Sequence, residues 1–184
     1  MGAGWRNAGS ALGVLLGLAG LVAVPALVER TLPADGPLPT GEPLDVGYGV
    51  WLRPPPRARL ELGPSRPGAG EVAMLVDELS IRVSAVELRG PADGFVEHTR
   101  YKFGRDEDWL AGPAVEISTA AGERGERGAL TPNDRDRAGG CYAIVTALAA
   151  AVVVVITPVA GCDEVPDEVW DSVRSLTFEP VDEW

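Results

Sequence analysis

The sequence predicts an α+β fold: an antiparallel sheet with helices packed on it, preceded by one N-terminal transmembrane helix. Three observations carry this. Short alternating or β-branched runs recur between turn signals from Val46 onward, the pattern of strands. Val165–Leu176 instead repeats apolar residues every three to four positions, and in Pro91–Asp108 Phe95, His98 or Thr99, and Lys102 or Phe103 recur at that spacing, the pattern of helices. Ahead of them all lies Ala11–Val28, which is apolar and uncharged.

Composition bounds the reading. The chain has 184 residues and a net charge of −11. That length suits one anchor and one domain of about 130–140 residues, enough to bury its own core. The 23 glycines and 16 prolines call for many turns and few long helices. Among the 16 basic residues Lys102 is the single lysine, and this arginine bias points to a high-GC, actinobacterial source. An acidic chain is a poor partner for nucleic acid, which needs a basic face, so no nucleic-acid partner is expected.

Residues 1–10 read as a short N-terminal tail. Residues 11–28 read as a transmembrane anchor or signal segment. Val24-Pro25-Ala26 has cleavage-like spacing, but Arg6 alone makes a weak positive region, so an uncleaved anchor is favoured. Residues 29–44 form a Pro/Gly-rich linker, expected to be extended. Residues 45–180 form the α+β domain, expected to be extracytoplasmic.

Within the domain Val46–Leu52 reads as one strand, stopped by Pro54-Pro55-Pro56. Arg59–Leu62 and Val72–Val76 read as short strands around the loop Gly63–Gly70. Leu79–Leu88 alternates with a phase shift at Ala85, predicting a strand with a bulge there. Pro91–Asp108 is a helix that Gly104 can end. Ala114–Thr119 is a strand. Ala121–Gly128 and Thr131–Gly140 read as charged turns around a short piece, Ala129–Thr131.

Gly140–Gly161 organises the rest. As a helix, Tyr142–Ala160 is close to the ~20 residues that span a bilayer. As a hairpin, Cys141–Leu148 and Ala151–Pro158 are central strands with a turn at Ala149–Ala150. The β-branched Ile144, Val145, Thr146 and Val152–Thr157 favour the hairpin. It would place Cys141 opposite Pro158 and bring Cys162 within disulfide reach, whereas a helix would hold the cysteines about 31 Å apart. The predicted bridge, Cys141–Cys162, would stabilise the fold by about 3 kcal/mol in the chain-entropy model. Two free buried thiols are the alternative. Val165–Leu176 then reads as a helix with Pro166 at its start and Asp167 and Glu168 in its first turn. Thr177–Pro180 is a last strand.

The order AIVTALA, AVVVVITP, helix, SLTFEP resembles the C-terminal half of PsbP-like domains, the fold shared with Mog proteins and LpqN-type envelope proteins of actinobacteria. The matching residues are Val152–Pro158 and Ser175–Phe178. The resemblance implies an antiparallel sheet with helices against it and a binding or accessory role. It carries over no catalytic residues.

No catalytic, cofactor-binding or metal-binding residue is expected. His98 is the one histidine and sits among charges in a predicted helix, the setting of a solvated side chain. Asp163, Glu164, Asp167 and Glu168 lack the spacing of a calcium loop and suit a helix N-terminus. Arg124, Arg127, Arg135 and Arg137 interleave with acids as in a solvated loop. Trp51, Trp109, Trp170 and Trp184 could anchor a partner if exposed, though the first three suit a core as well. The sequence therefore predicts a single-pass cell-membrane protein whose extracytoplasmic domain binds or supports an envelope protein, and no enzyme. The alternative is a structural subunit of a membrane complex with a second span at 142–160. An envelope hydrolase ranks below both.

Overall fold

Hairpin connections account for most of the architecture. The computed structural model describes residues 36–39, 41–106, 109–133, 139–157 and 162–180. From Pro37 onward the chain forms one compact unit. A first meander comprises β3 (Arg59–Leu60), β4 (Glu71–Val76) and β5 (Leu79–Glu87). A second comprises β6 (Trp109–Ser118), β7 (Arg124–Pro132), β8 (Gly140–Thr146) and β9 (Ala149–Ile156). Helix α1 (Ala92–Asp106) connects them. The meanders join where β5 pairs antiparallel with β9, giving a seven-stranded sheet in the order β3-β4-β5-β9-β8-β7-β6. A smaller antiparallel sheet has β2 (Val50–Leu52) between β1 (Leu44–Gly47) and β10 (Thr177–Phe178).

Side-chain alternation gives the large sheet two different faces. On the first, Ile81, Val83, Cys141, Ala143, Val145, Ala151, Val153 and Val155 are buried with Val46, Val50 and Leu52 of the small sheet. Helix α2 (Asp167–Arg174) adds Val169, Trp170 and Val173, and Leu176 follows it into the same core. Pro166 starts α2, acidic residues occupy its first turn and Arg174 its last, an arrangement that suits the helix dipole. On the second face Tyr142, Ile144 and Leu130 meet Phe103 of α1, flanked by Phe95, Val96 and Trp109.

The mixed sheet-and-helix class, with antiparallel sheets, is as expected; the proposed N-terminal helix lies outside the described residues. The second span at 142–160 is corrected: the stretch holds β8 and β9, whose apolar side chains are divided between two sheet faces. Among the described residues no helix is long and apolar enough to cross a membrane. The turn also moves. It lies at Ala147–Leu148, where Ala147 N–H donates to Ala149 O, and Cys141 stands opposite Val155 instead of Pro158.

Other elements differ for local reasons. Val46–Leu52 is two strands, because Gly47, Tyr48 and Gly49 take φ values of 118°, 55° and 72° and turn the chain back. Of the charged stretch expected to turn, Ala121–Glu123 does so, but from Arg124 onward it is the strand β7. Its glycines are required there: a Cβ on Gly125 would stand 2.5 Å from Ile144 O, and one on Gly128 2.7 Å from the Tyr142 ring. Tyr142 is the cross-strand partner of Gly128 and covers it, as aromatics do over strand glycines. β5 runs without a bulge: Ala85 is buried in phase with Ile81 and Val83, leaving Val86 exposed. α1 passes Gly104 and ends at Asp106. The linker is drawn in where Leu38 N–H donates to Ala58 O and the Leu38 side chain packs on the core.

Candidate functional site

A cleft of about 490 Å³ lies where the small sheet, the β6–β7 turn and the end of α2 meet. Each wall follows from local pattern. Val50 and Leu52 of β2 enter the core, so Trp51 faces the other way, between its cross-strand partners Asp45 and Thr177. Arg53 follows, exposed at the rim. The last turn of α2 presents Asp171 and Arg174, which form an ion pair on its outer face. Ser118 ends β6 and Thr119 opens the β6–β7 turn, where its hydroxyl oxygen accepts the Glu123 N–H at 3.1 Å.

Hydrogen bonds fix these walls to one another. Ser172 Oγ donates to Arg53 O at 2.5 Å, and Ser175 Oγ accepts the Arg53 N–H at 2.9 Å. Ala120 N–H donates to Arg174 O at 2.7 Å, holding the β6–β7 turn against the helix end. The cleft is therefore formed by backbone segments that cross-brace one another, and it needs no rearrangement to exist. Its chemistry is mixed: an indole, two guanidiniums, one carboxylate and several hydroxyls.

A second polar group lies under α1. Tyr142 is fully buried and its hydroxyl donates to Glu126 Oε1 at 3.2 Å. Arg100 of α1 stands 3.8 Å from the same oxygen and donates to Gly112 O at 3.4 Å. Burial, then the neighbouring Glu126 carboxylate, push the Tyr142 hydroxyl up to about 12. It remains a neutral donor at physiological pH, a structural bond across the sheet and no proton shuttle.

The predicted pair Cys141–Cys162 is a disulfide with Cα atoms 5.4 Å apart. It ties the fully buried Cys141 on β8 to the short 3-10 turn Cys162–Glu164 ahead of α2. His98 is exposed on α1. Of the acidic cluster, Glu168 pairs with Arg57 at 3.0 Å, and among the described residues no group of acids, cysteines or histidine gathers as a metal site. Arg127 lies 4.7 Å over the Trp170 ring, and Trp170 is 5% exposed, so this tryptophan belongs to the core. Arg135, Arg137, Asp134, Asp136 and Trp184 lie outside the described residues. Trp51, considered only as one of four tryptophans, is the one that lines the cleft; the convergence of residues near 51, 118 and 174 had no local signal.

Comparison with protein-family models, with curated proteins and with solved structures gave no match for this chain.

Proposed function

We propose that this chain is a membrane-tethered binding module of the cell envelope, PsbP-like in kind, whose extracytoplasmic domain has a non-catalytic accessory role toward an envelope component. The observation that carries the reading is the cross-braced cleft. Its hydrogen-bonded walls present an aromatic surface and a few fixed polar groups, the usual make-up of a binding site. The cystine supports an oxidising compartment, because such bonds persist outside the reducing cytoplasm. The uncharged Ala11–Val28 supports a single anchoring helix. The run of two apolar strands, helix and Ser175–Phe178 supports the PsbP-like kinship.

The test is topology in intact cells of the native host. An epitope after Trp184 is expected to be reached by protease from outside, with Cys141 and Cys162 oxidised in the isolated protein. An epitope protected until lysis, together with two free thiols, rejects the reading.

A further inference from the structure

We infer that the cleft beside Trp51 is a site for a neutral saccharide; the inference rests on the binding-module reading and names its ligand class. Charge narrows the choice first. Arg174 is already paired with Asp171, and both stand on the last turn of α2, the negative end of its dipole. A free phosphate or carboxylate entering there would meet the Asp171 carboxylate and that dipole, with Arg53 as the remaining cation. A cationic ligand would meet the Arg53 guanidinium, while the Asp171 carboxylate is already paired with Arg174. A ligand without formal charge avoids both conflicts.

The lining then indicates what kind of neutral molecule fits. Trp51 and Pro43 supply apolar surface, and an indole offers a flat contact for a C–H-bearing ring face. Asp171 accepts hydrogen bonds, Arg53 and Arg174 donate them, and Ser118 and Thr177 do either. Hydroxyls on adjacent ring carbons also donate and accept, so a charged donor next to a charged acceptor can engage both at once. A volume of about 490 Å³ lies within the range of small-ligand sites, roughly 300–1,000 Å³.

The experiment is isothermal titration of the full chain in detergent micelles with cellotetraose, mannotetraose and the tetramer of N-acetylglucosamine, and with orthophosphate as the anionic arm. Saturable binding of at least one sugar is expected, with orthophosphate giving none. Trp51→Ala is expected to weaken it by roughly tenfold or more, and Trp51→Phe less. Arg53→Gln, an exposed change that leaves the core untouched, is expected to weaken it too. No saturable sugar binding, or binding that neither Trp51→Ala nor Arg53→Gln alters, overturns the inference. Orthophosphate binding lost in Arg53→Gln overturns the saccharide but leaves a binding module standing. An epitope after Trp184 protected inside the cell rejects the module itself, whatever the titration gives.

Discussion

The two faces of the seven-stranded sheet are sealed by different means. The first is covered by a second sheet and by α2, and its contacts are almost entirely apolar side chains. A covalent bond from Cys141 fastens that cover to the middle of the sheet. Among the described residues the second is covered by α1, through a few aromatic and aliphatic contacts and the polar group Arg100–Glu126–Tyr142, an ion pair and a hydrogen bond that share Glu126. Away from the helix, Leu75 and Val86 on the same face are partly exposed. The lesson is that the larger buried core and the covalent closure sit on the face that also carries the cleft, while the other face depends on a smaller aromatic and aliphatic cluster and one polar network.

Substitutions on each face should separate these means. The largest effect is expected at Leu176, fully buried between α2 and β10. Leu176→Ala should cost about 2–5 kcal/mol in urea unfolding. A loss below 1 kcal/mol, roughly the effect of a surface change, would show that the first face does not dominate. Next comes the cystine. Replacing both cysteines by alanine should cost about 3 kcal/mol in the chain-entropy picture. Equal stability with and without the bond would remove the covalent half of the contrast.

On the second face, Gly128→Ala forces a methyl group against the Tyr142 ring and should cost about 1–3 kcal/mol. Unchanged stability would mean that Tyr142 can move away freely. The smallest effect at neutral pH is Tyr142→Phe, about 1 kcal/mol for the lost hydrogen bond. Its signature is in the pH dependence. The folded hydroxyl is raised to about 12, above its ordinary value, so its contribution is full below pH ~10 and is lost as pH rises toward 12. The native protein should therefore lose stability across that window more steeply than Tyr142→Phe; identical slopes would place the tyrosine outside the network.

What was legible followed from periodicity. The apolar hairpin, α2 with its acidic start, and the strands around Val72 and Ile81 all depend on nearest neighbours, which sequence displays directly. β7 was misread because its Gly and charged residues resemble a turn. Its strand character comes from antiparallel pairing with β6 and β8, and its glycines sit where the Tyr142 ring and the Ile144 backbone leave no room for a side chain. The cystine was reachable because two cysteines bracket one hairpin. The cleft was not, since Trp51, Ser118 and Arg174 come together only through the folded arrangement of β2, the β6–β7 turn and α2.

The junction between the two meanders has a consequence for how the chain assembles. Every other pair of neighbours in the large sheet is consecutive in sequence, but β5 must wait for β9, with Glu87 meeting Ala149 and Ser80 meeting Ile156. Local hairpins close early and distant pairings late. Until they meet, the apolar β9 and the alternating β5 each present an unpaired strand edge, the kind that recruits other chains. The half-assembled protein is thus the state exposed to aggregation. A chain released before Ile156 has emerged would leave β5 without its full partner.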